Sequence, residues 1–424
     1  MKRKILIVML GLVVVSQIPF AYRRYRLGRL QKAIQQLESQ RVPPTESEYL
    51  DYQGVIHVHS SLGGHSTGNF AELILAAKSN QLDFVIMTEH PQAEFDTSAL
   101  TLSGVHAGVL FINGNEVATA SGDRLLLIPG SANAASMSTQ TTQEVIAQQK
   151  ATGGLTFGAY PAESQNWQSS SVDGVEVYNL FTNARQYNAA VMFFDGLWSY
   201  GSYADLMFAN FSVRPAENLR RWDEAMSVGR RKLVAVAGND AHSNVGLSLN
   251  DASGKQLLGV KLDPYERSFR VVRTHVLIRK DKPLTRESLL EAMSQGHCYV
   301  SFDIFGDPKG FTFAAQSLSA SYPSKVIMGG SLPSVYQTRF TVTAPLNARV
   351  VLFRNGSPIE QKSGTAVDFV VERYGLYRVE LYIDALPGPA SGQPWIISNP
   401  IDLQAILSQR HDSQIDNSSK KQAS

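Results

Sequence analysis

From about residue 52 to residue 240, short apolar runs rich in β-branched residues alternate with segments of helical character. The apolar runs read GVIHVH, LDFVIMT, GVLFING, RLLLIP, GLTFGA, DGVEVYN and LVAVAG. Two segments between them, NFAELILAAKSNQ and TTQEVIAQQKATGG, have a helical period, and a later one, LTRESLLEAMSQG, adds Thr285 as an N-cap and Gly296 past its end. Strands that alternate with helices predict a parallel α/β sheet or a barrel.

After about residue 305 the apolar period changes to two. The runs QTRFTVTAP, ARVVLFRNGSPIEQ, TAVDFVVE and GLYRVELYID alternate in this way, and Asn355-Gly356 is a hairpin-turn signal. This pattern predicts a small antiparallel β-sandwich of immunoglobulin-like type over residues 306–405. In GLYRVELYID we expect the apolar residues to face the interior and Arg378 and Glu380 to face water.

Charge and cysteine usage exclude several classes of protein. The chain has 39 basic and 37 acidic residues, a net charge of +2, so it has no broad basic surface of the kind that indicates nucleic-acid binding. The single cysteine, Cys298, excludes an internal disulfide and a cysteine-rich zinc module.

Both ends of the chain differ from the rest. MKRK precedes the uncharged run ILIVMLGLVVVSQIPFAY, and RRYRLGR follows it, which is typical of a membrane anchor or a signal peptide. We favour an anchor at residues 5–22, within an anchor-and-linker region of residues 1–50, because no small-residue cleavage site follows. Arginines lie on both sides of the apolar run, so the positive-inside rule gives nearly equal weight to the two membrane orientations. We expect the rest of the chain to lie outside the cytoplasm, in the periplasm or at the cell surface. Residues 406–424 have no apolar period and are predicted to be a disordered tail.

Histidine, glutamate and aspartate residues collect where the predicted strands end. His57 and His59 are two apart on the first strand, so both side chains are expected on one face, and Asp240 and His242 repeat this spacing at the last strand. Barrel enzymes build their sites at the carboxyl ends of strands, so we expect these residues to share a site. Their donor atoms suit Zn, Mn or Fe rather than Mg. The other candidate ligands are His65, His90 and Glu116.

Around these residues the chain resembles the polymerase and histidinol phosphatase (PHP) superfamily of metallohydrolases. Within that superfamily it is more similar to a branch that includes carbaryl-hydrolase-like enzymes. The matching stretches are IHVHSS, GHSTG, LDFVIMTEH, NGNEVAT, DGVEVYN, GNDAHS and LTRESLLEAMSQGHCYVS. The final sandwich, ending in PWIISNPI, is similar to a domain appended in such proteins. The resemblance implies a distorted (β/α)7 barrel over residues 51–305, followed by the sandwich.

The same resemblance implies the sets of metal ligands. One metal would be bound by His57, His59, Glu116 and Asp240, and another by His65, His90 and His242. The family has two further histidines for an additional metal, and this chain has Arg124 and Tyr160 at those places. Arginine keeps its proton and is not a ligand, so we expect one to two divalent transition metals per chain.

Arg124 and Tyr160 are thus the positions where the chain departs from its relatives. A guanidinium beside Glu116 would restore one positive charge and offer a planar set of donors suited to a carboxylate or a phosphate. Tyr160 could donate a hydrogen bond to the same anion. Two alternatives are open: Asp123 or Glu163 replaces a missing ligand, or Arg124 points to solvent.

Together these features predict a metal-dependent hydrolase, with phosphoester hydrolysis by a metal-bound hydroxide favoured. The candidate catalytic residues are Glu116 and Asp240, which would orient water, and Arg124 and Tyr160. Amide or carbamate hydrolysis, as in the carbaryl-hydrolase-like branch, is an open alternative, and so is a metal-binding sensor or scaffold without turnover. The expected partners are a small-molecule or phosphate-ester substrate and, through the N-terminal segment, a membrane. The sequence names no protein partner.

Overall fold

The computed structural model describes residues 2–44, 46–164, 166–168, 170–229, 231–250, 256–319, 324–333 and 337–405. The predicted tail, residues 406–424, lies outside the described residues. The protein is of mixed α/β class and has one large sheet. The helices are α1 (Lys2–Glu38), α2 (Phe70–Ser79), α3 (Thr97–Leu100), α4 (Thr142–Ala151), α5 (Leu180–Arg185), α6 (Ala189–Met207), α7 (Ala216–Gly229), α8 (Tyr265–Ser268) and α9 (Arg286–Ser294).

The strands divide at about residue 305 into two groups. The first group is β1 (Tyr49–Val58), β2 (Phe84–Met87), β3 (Gly104–His106), β4 (Val109–Ile112), β5 (Asn115–Ala118), β6 (Arg124–Ile128), β7 (Leu155–Ala159), β8 (Gly174–Asn179), β9 (Val234–Ala241), β10 (Gly246–Asn250), β11 (Gln256–Lys261), β12 (Arg273–Arg279) and β13 (Cys298–Ser301). The second group is β14 (Thr312–Ser317), β15 (Lys325–Ile327), β16 (Ser331–Pro333), β17 (Thr338–Arg354), β18 (Ser357–Val371), β19 (Gly375–Tyr382), β20 (Ile396–Ser398) and β21 (Ile401–Gln404).

Strand pairings in the first group close into a ring. β1 pairs in parallel with β2 on one side and with β9 on the other, and β7, β8 and β9 are parallel neighbours. β2 pairs in parallel with β4, and a bridge from Glu89 to Asn115 connects the end of β2 to β5. β5, β6 and β7 complete the ring. The apolar side chains of its strands, including Ile56, Phe157 and Val236, are buried in one cluster.

The parallel pattern of the ring is interrupted at β6. This strand is antiparallel to both β5 and β7 because a short turn, rather than a helix, joins β5 to β6. Its first residue, Arg124, is therefore opposite Ala118 near the end of β5 and Ala159 at the end of β7. The reversal places Arg124 at the same edge of the ring as the carboxyl ends of the parallel strands.

Three helices begin at polar residues whose side chains cap them. Asn69 accepts a hydrogen bond from the backbone of Glu72 at the start of α2, and Thr141 and Glu144 form a capping box at the start of α4. Thr285 caps α9, as predicted, and Gly296 follows its end with a φ of 69°.

The second group of strands pairs mostly in antiparallel fashion. β17 pairs with β14, β18 and β19, and β19 pairs with β20 and β21, whereas β16 and β21 are parallel. The predicted turn at Asn355-Gly356 joins β17 to β18, with both residues at positive φ. β13 pairs with β20, so the hydrogen-bonded sheet continues across the predicted boundary at residue 305. The sandwich assignment itself stays a prediction.

Arg378 and Glu380 do not face water as the alternation predicts. Their exposed fractions are 2% and 0%. The reason is that α7 covers this face of β19: Arg378 Nη2 donates to Asp223 Oδ2 on α7 at 2.7 Å, and Arg378 Nη1 donates to Glu380 Oε1 at 2.7 Å. Arg214, just before α7, donates to both oxygens of Glu380 at 2.7 and 2.6 Å. A buried ionic network therefore replaces the expected solvated face.

The N-terminal region is consistent with the predicted anchor but differs from the predicted linker. α1 is long and apolar enough in its first half to cross a membrane, by length and composition, and its residues 5–15 are exposed. The segment after residue 22, expected to be a polar linker, instead continues the helix to Glu38. Leu27, Leu30 and Leu37 on this second half are buried against the rest of the protein.

Candidate metal centre

The backbone is irregular where the candidate ligands leave their strands. The register of β1 shifts between Ile56 and Val58 against both neighbours, and His57, at the shift, has a φ of 66°. Asp240, near the end of β9, has a φ of 48°. Left-handed backbone is uncommon for residues other than glycine and costs about 1–3 kcal/mol. Because of the bulge, simple alternation along β1 does not explain how His57 and His59 meet.

The structure brings His57, His59, Glu116 and Asp240 together as a buried group. One donor atom from each lies within 4.8 Å of the others. His57 Nε2 is 3.1 Å from Glu116 Oε2 and 3.6 Å from Asp240 Oδ1. His59 Nε2 is 3.4 Å from Glu116 Oε2 and 3.5 Å from Asp240 Oδ1. Two imidazoles and two carboxylates thus converge on one point.

A second group of three histidines adjoins the first. His59, His90 and His242 each offer a nitrogen within the same 4.8 Å limit. The ring of His59 stacks on those of His90 and His242, with centroids 4.6 and 4.4 Å apart. His65, predicted as a ligand with His90 and His242, is exposed and outside this group, although its ring centroid is 4.8 Å from that of His90.

Several donor atoms at the centre have no hydrogen-bond partner among the described residues. Both ring nitrogens of His59 and the Oδ1 atom of Asp240 are buried without such a partner. A buried polar atom without a partner costs about 1–3 kcal/mol, so such atoms are expected where a ligand is to be bound. The orphaned atoms and the mixed His/carboxylate donor set fit a divalent transition metal.

Electrostatics keep the carboxylates ionised. Burial raises the pKa of Glu116 and of Asp240, but the charge of His57 together with the hydrogen bonds and charges of the other histidines outweighs it, and the pKa of each carboxyl is lowered overall. Burial lowers the pKa of His59 and His90 to about 4, so both are neutral at pH 7 and have a nitrogen lone pair to offer. Burial also acts on His57, but the neighbouring carboxylates raise its pKa well above the usual value.

Glu176 and Asn179 on β8 contact the candidate metal ligands His57 and Asp240 and help to orient them. Glu176 Oε1 is 2.7 Å from His57 Nδ1, which directs His57 Nε2 toward the centre if Nδ1 carries the proton. Asn179 Nδ2 donates to Glu176 Oε2 at 3.1 Å and to Asp240 Oδ2 at 3.3 Å. A Cβ atom on Gly238 would lie 1.4 Å from Glu176 Oε1, so only glycine fits beside this carboxylate.

Arg124 and Tyr160 each contact one of the central carboxylates. Arg124 Nη1 donates to Glu116 Oε1 at 3.3 Å, while its side chain is 49% exposed. Tyr160 Oη donates to Asp240 Oδ2 at 2.6 Å, and burial, followed by the charge of Asp240, raises the pKa of this hydroxyl. Arg124 is thus both paired with Glu116 and half exposed to the cavity. Asp123 instead accepts from Thr142 at α4, away from the donor groups.

Two cavities open onto the centre. A polar one of about 680 Å³ is lined by His65, His90, Arg124, Tyr160 and Glu163, with Glu116 at its base. An apolar one of about 290 Å³ lies between α5, α6 and the end of β9. Phe181, Arg185, Asp240 and His242 line both cavities. Phe181 and Arg185 were not found from the sequence because they follow DGVEVYN in a segment without a strand-end pattern.

Comparisons with family profiles and with curated proteins give no match. Among solved structures, a two-domain protein from Bacteroides vulgatus containing a predicted PHP-like metal-dependent phosphoesterase is similar to this chain at 14% identity, with 85% of this chain and 98% of that chain covered and a TM-score of 0.36. PsfC from Pseudomonas syringae is similar at 12% identity over 59% of this chain and 91% of that chain, with a TM-score of 0.36. Similarities this weak carry no argument about function, which must come from the geometry of the site.

Proposed function

We propose that the protein is a metal-dependent hydrolase of PHP type that acts on phosphate esters. The observation that carries this proposal is the buried convergence of His57, His59, Glu116 and Asp240, with the nitrogens of His59 and one oxygen of Asp240 left without partners. The assignment of the ring of strands to a distorted (β/α)7 barrel over residues 51–305, with a sandwich domain over residues 306–405, belongs to the same proposal.

The chain's own residues have distinct roles in this proposal. His57, His59, Glu116 and Asp240 would hold one metal, and His90 and His242 would hold a second, with His59 or His65 as a further ligand. A divalent transition metal supplies Lewis acidity at such a site and acidifies water. Arg124 and Tyr160 face the polar cavity beside the carboxylates, where they can donate hydrogen bonds to an anionic ester group.

Arg124 favours a phosphate ester over a neutral amide or carbamate. Its guanidinium is half exposed at the cavity wall and directs only one of its nitrogens at Glu116 within hydrogen-bond distance. The remaining donors form a planar set that matches phosphate oxygens. Arg185, exposed at the junction of the two cavities, adds a second positive charge.

Metal analysis and a substrate screen on the full chain test this function together. The full chain is used because the second half of α1 is buried against the rest of the protein. We expect one to two equivalents of Zn, Mn or Fe and metal-dependent hydrolysis of phosphate monoesters or diesters. Hydrolysis of amides or carbamates alone would favour the other branch, and bound metal without any hydrolysis would favour a sensor. Absence of bound metal after loading would refute the proposal.

We further propose that α1 anchors the protein in a membrane and that the hydrolase lies outside the cytoplasm. The support for the anchor is the exposed apolar first half of α1. The basic residues at 2–4 before this stretch favour a cytoplasmic N-terminus, whereas Arg23, Arg24 and Arg26 after it oppose that orientation. Exposed Tyr22 and Tyr25 lie at the end of the apolar stretch, where aromatic residues meet the membrane surface.

A further inference from the structure

The apolar cavity described above shares an opening with the candidate metal centre. Its walls include Leu180, Met192, Met207 and Phe208, and at its inner end are Asp240 and His242. The ring of Phe181 is 5.5 Å from that of His242 and lies between the apolar and polar cavities. A ligand could therefore occupy both cavities at once, with a polar group at the metal centre and an apolar group beside α6.

α6 connects this cavity with the apolar N-terminal helix. One stripe of α6, which includes Ala189, Met192, Gly196 and Tyr200, lines the cavity at helical spacing. Another stripe contacts α1. The rings of Phe194 and Phe20 are 5.1 Å apart, Asp195 pairs with Arg23 at 2.9 Å, and Trp198 Nε1 donates to Gln17 at 3.0 Å. α6 thus lies between the cavity and the end of the apolar stretch of α1.

The outer face of α6 is itself apolar. Phe193, Leu197 and Trp198 are 49%, 67% and 37% exposed, and Phe193 also lines the cavity. Trp198 donates to Gln17, and Phe193 packs against Phe194, whose ring contacts Phe20, so this face lies at the level where α1 leaves its apolar stretch. An α1 that spans a membrane would place this face at the membrane surface, where a tryptophan and exposed apolar side chains are stabilised. The mouth of the cavity at Phe193 would then face lipid.

We propose that the apolar cavity binds the hydrocarbon part of an amphiphilic phosphate ester taken from the membrane, whose phosphate lies in the polar cavity near Arg124. This inference rests on the proposed hydrolase function and adds the class of substrate. The cavity of about 290 Å³ has space for an alkyl chain of several methylenes. Burial of a chain gives affinity in proportion to its length.

Two glycines on α6 provide a matched pair of variants. A side chain on Gly196 enters the apolar cavity, whereas one on Gly201 points away from it, toward a different surface pocket. A Cβ atom meets nothing within 4 Å at either position, so both substitutions are sterically permitted. Gly196→Leu therefore fills the cavity, and Gly201→Leu is the control with the same change of helix propensity.

The first test measures binding of butylphosphonate and octylphosphonate, which are not hydrolysed, to the metal-loaded full chain in nanodiscs by isothermal titration calorimetry. We expect octylphosphonate to bind about tenfold or more tighter in the native chain and in Gly201→Leu, because four more methylenes are buried. Gly196→Leu should bind the two ligands about equally. Equal affinities in the native chain, or equal loss of selectivity in both variants, would overturn the proposal.

The second test compares a membrane lipid with a soluble phosphate ester. It shows whether the protein hydrolyses phosphate esters at all and whether it takes them from a membrane. The full chain is reconstituted into zwitterionic vesicles that contain phosphatidic acid, and release of inorganic phosphate is measured beside hydrolysis of p-nitrophenyl phosphate. We expect both substrates to be hydrolysed, with the lipid reaction slowed more than that of p-nitrophenyl phosphate by Gly196→Leu and neither reaction slowed by Gly201→Leu. Hydrolysis of p-nitrophenyl phosphate without any release from the lipid would overturn the amphiphile but leave the hydrolase. Failure of both reactions with metal bound would overturn the hydrolase function.

Discussion

His59 is the residue whose surroundings are hardest to explain without a ligand. It is fully buried, neither ring nitrogen has a hydrogen-bond partner among the described residues, and its ring lies between those of His90 and His242. Burial lowers its pKa to about 4, so it gains nothing from a positive charge. A buried imidazole in this state loses about 1–3 kcal/mol in unmade hydrogen bonds. Metal binding to its nitrogen would offset that loss.

Changing His57 and His59 together to alanine is expected to remove most of the bound metal, because it removes two of the four donors of the first group. Inductively coupled plasma mass spectrometry on the purified, metal-loaded full chain measures the content. His106→Ala is the control, since His106 contacts the carbonyl of Ser103 and the ring of Phe111 and lies outside the donor groups. A folded double variant with unchanged metal content would refute the ligand assignment.

Replacing Arg124 and Tyr160 together by histidine is expected to raise the metal content by about one equivalent. Both side chains contact the carboxylates Glu116 and Asp240, so two imidazoles there would add donors next to existing ones. Arg124→Ala alone should weaken phosphate binding by about 1.5–3 kcal/mol, the usual value of a charge-assisted hydrogen bond. Metal analysis and phosphate titration measure the two effects. If both quantities stay unchanged, these positions are not part of the site.

At the scale of elements, the close approach of β8 and β9 fixes the orientation of His57. Gly238 on β9 leaves room for Glu176 on β8, whose carboxylate holds His57 Nδ1. Gly238→Ala should destabilise the protein by about 1–3 kcal/mol through overpacking and lower its metal affinity. Gly158→Ala on β7 is the matched control, because its Cβ would meet Val175 at an ordinary 3.5 Å. Urea unfolding and metal titration compare the two, and equal effects would contradict a special role for Gly238.

The sequence predicts most elements of the first group of strands, because their apolar runs and caps are local signals. Thr285 at the start of α9 is an example, confirmed by its capping box with Ser288. The reversed direction of β6 could not be predicted, since the length of the connection and not the strand itself decides it. The bulge at His57 is likewise a response to the packing of β1 between β2 and β9. Glu176 on β8 acquires its partner His57 from β1, which lies on the other side of β9, and no local pattern in the sequence indicates this contact.

At the scale of the whole molecule, an ionic network joins α7, which precedes residue 305, to β19 of the second group of strands. Arg378 on β19 contacts Asp223 on α7 and Glu380, and all three are buried. Arg378→Ala should cost about 3–5 kcal/mol, because it leaves two buried carboxylates without this partner. Arg349→Ala, which breaks the more exposed pair with Asp384, should cost about 1 kcal/mol or less. Urea unfolding of the full chain measures both, and similar costs would contradict the importance of burial.

The long-range arrangement was the least predictable part. Alternation in GLYRVELYID assigns Arg378 to solvent, and only the docking of α7, more than a hundred residues earlier in the chain, buries it. The polar composition after residue 22 similarly suggests a linker, yet three leucines placed at helical spacing pack the second half of α1 against the body. Local pattern determines the element, whereas its partner is set by contacts between distant segments.

The final prediction concerns the side of the membrane. Basic residues flank the apolar stretch at both ends, but Arg23 is paired with Asp195 and Arg24 donates to Ser202 in the folded protein, which leaves Arg26 and Arg29 exposed. We expect alkaline phosphatase fused after residue 424 to be active and a β-galactosidase fusion there to be inactive, as for a C-terminus outside the cytoplasm. Arg26→Gln with Arg29→Gln should strengthen this orientation by removing positive charge from the translocated side, and removal of the basic residues at 2–4 should weaken it. Activity of the β-galactosidase fusion alone would show that the opposite orientation is correct, with the metal centre in the cytoplasm.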